Sequence, residues 1–296
     1  MRKDAFYNVH PAVELAFFAA VMLITAFVLH PVITGVSLVS ACVYAVFLKG
    51  RRAVKYMLCG LLPFMVVVAA INPLFNHAGV RVLFYLWNGN CVTLEAVLYG
   101  VVSGAMFAAL IVWFYCLNTV LTSDKYVYLF GRLIPALSLV FSMALRFVPR
   151  FTQRLGLVSA AQKSLETDFG KNPVKGVKHG LAVISITTTW ALESAVGISD
   201  SMKSRGYGLR GRTAFSIFAF DKRDAFISAA MLVCFGVTAA AIALKQVYFR
   251  FYPSIKHNEW GAFPFLGCAA FLLLCLIPVL LNIKEALKWR AIRSKI

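Results

Sequence analysis

The stretch RFTQRLGLVSAAQKSLETDFGKNPVKGVKHG, residues 150–180, decides how this chain is laid across a membrane. It carries Arg150, Arg154, Lys163, Lys171, Lys175 and Lys178 between two apolar segments, 133–148 and 181–198, each nearly long enough to count as a span. If both segments crossed the bilayer, all of these cations would lie on the outer face. Lys and Arg of short connecting segments are retained on the cytoplasmic side, so that arrangement runs against the charge bias. Each flank is also interrupted by an ionisable residue, Arg146 in one and Glu193 in the other, and an ionisable side chain at mid-bilayer is costly. The stretch therefore reads as part of an amphipathic, cytoplasmic-side helical module, lying along or partly within the inner leaflet.

Outward from it, the chain has 296 residues, a mean hydropathy of +0.78 and only 14% charged residues. Such a composition excludes an ordinary soluble domain and calls for several membrane spans. A helix needs about 20 apolar residues to cross the hydrocarbon core. Runs at 13–29, 32–48, 54–71, 94–118, 225–244 and 262–282 reach or approach that length, the first two joined through His30-Pro31 as a tight turn. The apolar run after His10 has no small-residue cleavage site, so it reads as a retained first span. With the N-terminus inside, the outer segments keep only Arg81, Lys245, Arg250 and Lys256 of the 30 basic residues. Both termini are then cytoplasmic. The net charge of +18 taken alone fits nucleic acid, an anionic membrane face or an acidic protein; its position on one side of a membrane points to lipid and protein, and not to nucleic acid.

The resulting expectation is an all-α polytopic membrane protein with about six transmembrane helices and a cytoplasmic-side three-helix module. The membrane regions cover 1–118 (about four spans) and 216–296 (about two), and the module covers 119–215. Ser123-Asp124 is a usable N-cap pair for the first module helix, which runs to about Arg132 before Pro135. A second helix passes Pro149 and stops near Asp168, at Phe169-Gly170-Lys171-Asn172-Pro173. A third runs from Val174 or Gly180 to Arg205, where Gly206 and Gly208 suit a left-handed C-cap.

Little catalytic chemistry is on offer. No G-x-x-x-x-G-K-[ST] occurs, so nothing cradles a nucleotide triphosphate. The cysteines, Cys42, Cys59, Cys91, Cys116, Cys234, Cys268 and Cys275, form no C-x-x-C pair and read as small apolar residues. The five histidines have no helical metal-site spacing, and His10 and His30, each before proline at a membrane edge, read as structural. Asn72-Pro73 with His77 reads as loop-turn chemistry. Glu14 and Glu95 lie near span ends, where they can snorkel or cap, and the span centres carry no charge, which speaks against a self-contained channel or secondary carrier. Glu193 and Asp200 share a helical face and are expected to pair with Lys or Arg. No catalytic residue, metal ligand or cofactor is assigned.

An ordered series of motifs remains: Asn72-Pro73-Leu74-Phe75, Thr93-x-Glu95 with Gly100, Leu121-Thr122-Ser123-Asp124-Lys125, Ile134-Pro135, Leu145-Arg146-Phe147-x-Pro149, Ala161-Gln162, and Met202-Lys203-Ser204-Arg205-Gly206-Tyr207 with Arg212-Thr213. In order and spacing, over roughly residues 70–215, it resembles the transmembrane T component of energy-coupling factor (ECF) transporters, a family that includes the cobalt-transport Q component. The resemblance implies a non-catalytic scaffold in a prokaryotic cell membrane, joining two cytoplasmic ATP-binding-cassette ATPases to a substrate-binding S component that carries a vitamin or a transition-metal ion. It also implies two coupling helices, each ending in an Ala-Arg-Gly-like motif whose arginine enters an acidic groove on one ATPase. Ser204-Arg205-Gly206 matches that motif. The first motif departs from it: Ala161-Gln162 is followed by Lys163-Ser164-Leu165-Glu166, with Leu165 where the arginine is expected. Either Lys163 supplies the cation from one helical turn away, or this helix binds mainly by apolar packing; the departure favours two non-identical ATPases. Arg146, Pro149 and Pro135 are carried over as contacts to the S component or as structural residues.

Arg205 also has two plainer readings. A cation in the last helical turn satisfies carbonyls and the macrodipole, worth roughly 0.3–1 kcal/mol, and a basic strip binds anionic lipid at about 1 kcal/mol per cation. Neither accounts for glycines at both 206 and 208. A side-chain-free turn lets a partner approach, and a planar guanidinium suits bidentate pairing with a carboxylate. Arg210 and Arg212 read as lipid-facing or solvated.

Overall fold

The computed structural model describes residues 6–77, 79–85, 91–165, 173–209, 218–257 and 261–293. Glu166, Asp168, Phe169, Gly170, Lys171, Asn172, Arg210, Arg212 and Thr213 of the sequence reading lie outside the described residues. The chain forms two compact units, one from residues up to Lys125 together with Phe218 onward, the other Tyr126–Ile217. It is an all-α polytopic membrane protein, with only two short antiparallel hairpins, β1 (Val82–Tyr85) with β2 (Cys91–Thr93) and β3 (Phe249–Arg250) with β4 (Lys256–His257), among the described residues.

In the first unit, α1 (Pro11–Phe27) and α2 (Pro31–Lys49) start in the same way. His10 and His30 are their N-caps, each Nδ1 accepting from the backbone N–H two residues on, at 3.3 and 3.2 Å, and Pro11 and Pro31 occupy the first helical position, where a missing N–H costs nothing. Burial lowers the pKa of His30, which keeps the capping nitrogen unprotonated. α3 (Arg51–Tyr56), a π-helical turn (Met57–Leu61) and α4 (Leu62–Phe75) form one continuous helix. The π turn sits just before Pro63, which has no N–H to give the carbonyl four residues back. α5 (Leu94–Val120) is capped by Thr93, whose hydroxyl accepts from Ala96 N–H at 3.3 Å. α9 (Lys222–Ala243) opens with a reciprocal Asp221–Asp224 capping box, and α10 (Ala262–Arg293) completes the unit. α10 outlasts its apolar run by three turns because Lys284 to Arg293 is rich in helix formers.

Trp113 of α5 is the centre of the unit, with no exposed surface. Phe17, Phe18 and Tyr44 surround it at ring-centroid distances of 5.8, 6.1 and 6.4 Å. Its indole N–H donates to Ser37 Oγ at 3.0 Å, Ser37 and Thr25 hydroxyls are 2.8 Å apart, and Thr25 donates to Val21 O at 2.8 Å. Because Thr25 spends its proton on Val21, Ser37 donates to Thr25 and accepts from Trp113. Small polar side chains thus tie α1, α2 and α5 together where apolar burial gives no driving force between helices. Gly100 and Gly104 do the same for α4 and α5: a Cβ on Gly100 would lie 2.5 Å from Ala69 O, and one on Gly104 2.9 Å from Met65 O. This Gly-x-x-x-Gly spacing lets two backbones touch.

Two sequence expectations are corrected here. Asn72-Pro73 is not a turn: α4 runs through both to Phe75, and Asn72 Oδ1 accepts from the Tyr252 hydroxyl at 3.2 Å. Proline in the last turn of α4 removes only one N–H, which the turn tolerates. Glu14 does not snorkel; it is fully buried and paired with Lys125.

The second unit contains the rest of α6 (Ser123–Leu133), α7 (Pro135–Leu165) and α8 (Pro173–Ser204). α6 starts at Ser123 itself, Lys125 N–H bonding Thr122 O at 3.0 Å, so Ser123 is already helical. By length and hydropathy alone the helices able to cross a membrane are α2, α3–α4, α5, residues Gly176–Ser204 of α8, α9 and α10; α1, at 17 residues, is shorter and covers about 26 Å.

Candidate functional site

Of the candidate site residues in the module, Pro135, Arg146, Pro149, Gln162 and Lys163 lie on α7, and Ser204, Arg205 and Gly206 lie at the end of α8. On α7, Phe147, Phe151, Leu155, Val158 and Gln162 recur every three or four residues and are half-buried, while Arg146, Pro149 and Lys163 are exposed. Pro135 is the first residue of α7, where proline is favoured. On α8, Val183, Thr187 and Trp190 form the matching stripe, the first two buried. The Phe147 and Trp190 rings stack, 5.8 Å between centroids and 17° between planes, and the Arg154 guanidinium lies 5.6 Å from the Trp190 centroid.

That crossing fixes where the two candidate motifs stand relative to each other. At 1.5 Å per residue, about 24 Å of α7 separates Phe147 from Lys163 and about 22 Å of α8 separates Trp190 from Arg205. The eight peptide steps from Leu165 to Pro173 reach at most about 29 Å. If α7 and α8 crossed in the same sense, those two residues would be roughly 50 Å apart, beyond that reach. The helices must therefore run in opposing senses, and Lys163 and Arg205 diverge to roughly 40 Å or more. The two motifs are tips of one helical hairpin and not halves of one site.

The Arg205 tip has defined geometry. Tyr207 N–H bonds Met202 O and Gly206 N–H bonds Lys203 O, both at 3.0 Å, with Gly206 at φ +80. This is a Schellman ending, in which the left-handed position calls for glycine, and it makes Arg205 the C-cap. The expected left-handed cap is present, and Gly208 follows at φ +97. The Schellman bonds satisfy the Met202 and Lys203 carbonyls, so the Arg205 side chain is not needed for them. Arg205 is exposed and among the described residues makes no salt bridge. Ser204 Oγ turns back to Ser201 O at 3.0 Å. At the other tip, Lys163 is exposed, two residues before Leu165, the last described residue of α7. Glu193 and Asp200 do not pair as expected: both are exposed, and neither makes a salt bridge among the described residues. Glu193 has no cation three or four residues away, and exposed pairs such as Asp200–Lys203 gain little.

Sequence reasoning missed one buried charge pair. Lys125 Nζ donates to Glu14 Oε1 at 2.6 Å and to Tyr7 O at 2.7 Å, and sits 3.8 Å from the Tyr7 ring centroid. The side chains are 2% and 0% exposed. A signal existed: the charge-derived topology put Glu14 and Lys125 on the same membrane face.

Proteins of known name show the same likeness. The chain is 32% identical over 108 residues to the energy-coupling factor transporter transmembrane protein EcfT of Lactobacillus helveticus, covering 35% of this chain and 38% of that protein. It is 26% identical over 204 residues to EcfT of Lactococcus lactis, covering 63% of this chain and 75% of that one. The chain is EcfT-like. EcfT of Lacticaseibacillus paracasei matches at 29% over 106 residues, 40% of its length. The first and third matches thus span about two fifths of those relatives. No family profile matches the chain. The resemblance read from the motifs and the EcfT likeness agree, and together with the apolar helices they make this an EcfT-like, multi-pass membrane protein of prokaryotic type.

Proposed function

We propose that this chain is the coupling scaffold of an ATP-driven ECF-type importer, linking two non-identical ATP-binding-cassette ATPases to a substrate-binding S component for a vitamin or transition-metal ion. ATP hydrolysis belongs to the ATPases; this chain is not catalytic. Both termini and the 119–215 module face the cytoplasm, with the hairpin of α7 and α8 at the inner leaflet, as the distribution of Lys and Arg argues. The module's exposed apolar side chains, among them Val140, Phe141, Leu181 and Leu192, meet lipid or the S component, with Arg146, Pro149 and Pro135 on that side of the assembly.

The observation that carries this reading is Arg205. It is an exposed guanidinium at a Schellman-terminated helix end with no internal partner among the described residues, in a chain similar to EcfT. An acidic groove on one ATPase satisfies it; Lys163 with Gln162 at the opposite tip serves the other ATPase. The test is co-purification of the ATPases with the membrane-extracted chain. Arg205→Glu places like charges together and should reduce recovery of an ATPase at least tenfold, whereas Arg205→Lys should retain part of it, because a lysine keeps the charge and loses the fork. Full recovery with Arg205→Glu refutes the role of this tip, and absence of ATPases from the wild-type complex refutes the function.

A further inference from the structure

The chain leaves the first unit at Lys125 and returns to it at Phe218, and both points are held by the same short stretch before and inside the first turns of α1. At the exit, Lys125 directs its ammonium to Glu14, to the Tyr7 carbonyl and onto the Tyr7 ring. At the return, the Phe220 ring meets the His10 ring edge-on at 5.5 Å, and the Asp221–Asp224 capping box fixes the start of α9 one residue later. His10 is in turn the N-cap of α1. Residues 7–14 therefore contact both Lys125 and Phe220, the residues of the first unit beside which the chain departs to and returns from 126–217.

An ion pair is an uneconomical way to fasten two helices. Desolvating both charges costs nearly what their attraction returns, and an apolar pair of similar volume often serves stability as well. What the ion pair adds is direction: two short hydrogen bonds on one ammonium hold the start of α6 in a single rotational setting against α1, which greasy packing does not. We infer that Glu14, Lys125 and the His10–Phe220 contact are positioning residues of the coupling step, delivering movement of the inserted unit to α1. The inference rests on the coupling function proposed above, and it names where movement enters the membrane unit. Rotation or displacement of α6 pulls on Glu14 and hence on α1 as a rigid element.

The experiment uses the complex of this chain with its ATPases, with ATP·Mg as the only added ligand. Spin labels on genetically encoded keto side chains at Leu23 of α1 and Val66 of α4, both exposed, report movement of α1 within the unit by pulsed dipolar spectroscopy. ATP·Mg should shift the wild-type distance by roughly 2–5 Å, the size of helix shifts in switching proteins. In Glu14→Leu/Lys125→Met, an apolar pair that leaves no buried charge, ATPase co-purification should persist and the shift should be lost. If this pair does not fold, Phe220→Ala carries the test, since it removes the contact at the return without burying a charge; its shift should fall at least twofold. A wild-type complex that shows no nucleotide-dependent shift, or variants that keep the full shift, overturns the inference and leaves the coupling function standing. Failure of the wild-type chain to bring down ATPases overturns the function, and the inference with it.

Discussion

Gly100→Ala offers a direct check on the packing of α4 against α5. The added Cβ would sit 2.5 Å from Ala69 O and 3.1 Å from the Asn72 Cβ. Ordinary contact begins near 3.4 Å, so α4 must retreat by roughly 0.9 Å, and what retreats is backbone, not a flexible side-chain end. Overpacking of this kind costs about 1–3 kcal/mol, here toward the upper end. Against it stands a gain of about 1 kcal/mol from placing alanine instead of glycine in a helix interior, leaving a net loss of about 1–2 kcal/mol. Two glycines isolate the second effect: Gly35 of α2 and Gly236 of α9 have nothing within 4 Å of a built Cβ, so alanine there should bring the propensity gain alone. Thermal unfolding of the protein in nanodiscs, followed by tryptophan fluorescence, should rank Gly35→Ala and Gly236→Ala above wild type and Gly100→Ala below it. Gly104→Ala, at 2.9 Å from Met65 O, should fall between. A Gly100→Ala protein as stable as Gly35→Ala would refute the close approach.

Other parts of the fold lend themselves to the same assay. Lys125→Met removes the ion-pair partner of the buried Glu14 and should cost about 3–5 kcal/mol, most of it recovered in Glu14→Leu/Lys125→Met, because breaking a buried pair costs more than replacing it by apolar side chains; a double variant no better than the single would count against the pair. His30 should make the fold acid-sensitive. Its folded pKa lies below the ordinary 6.5, so the unfolded chain binds the extra proton first and stability is lost as pH falls from about 6.5 toward that lower value. His30→Asn keeps an N-cap acceptor and removes the titration, so its melting temperature should drop less than that of wild type between pH 7 and pH 5. Equal drops would show that the capping imidazole is not desolvated.

Helix positions were legible because two strong signals agree, the length of apolar runs and the charge bias of their connections. The stop at Gly206 and Gly208 was legible for a local reason, since glycine acts on its own neighbourhood; the stop expected after Asp168 lies outside the described residues. The errors have the opposite origin. Asn72-Pro73 carries turn chemistry locally, but α4 continues through it, and Asn72 accepts from the Tyr252 hydroxyl, a contact across 180 positions with no local trace. Glu14 was placed correctly near the end of a span and misread, since its fate depends on Lys125, 111 residues away. Of the site, the Arg205 tip could be read from spacing, and its separation from Lys163 could not, because that follows from one aromatic crossing, Phe147 on Trp190.

That separation bears on how the proposed assembly divides its work. A compact globular subunit of about 250 residues has a radius of gyration near 18 Å and is roughly 46 Å across. Two tips about 40 Å or more apart are thus spaced for the centres of two neighbouring subunits and too far apart for one groove. In the proposed assembly each tip would meet a different ATPase, and the chemistry of the tips differs: a forked guanidinium on a glycine turn at Arg205, a single ammonium beside Gln162 at the other. A fork pairs with a carboxylate through two bonds and resists rotation; an ammonium acts as a point charge on a flexible stem. In that assembly, force applied at the Arg205 tip would be transmitted with its direction kept, whereas the Lys163 tip would be free to swivel. In Lys163→Arg the second tip gains the fork, so binding of its ATPase should tighten while that of the Arg205 partner stays fixed. Equal changes for both ATPases would mean that the two tips share one surface, which the geometry of the hairpin forbids.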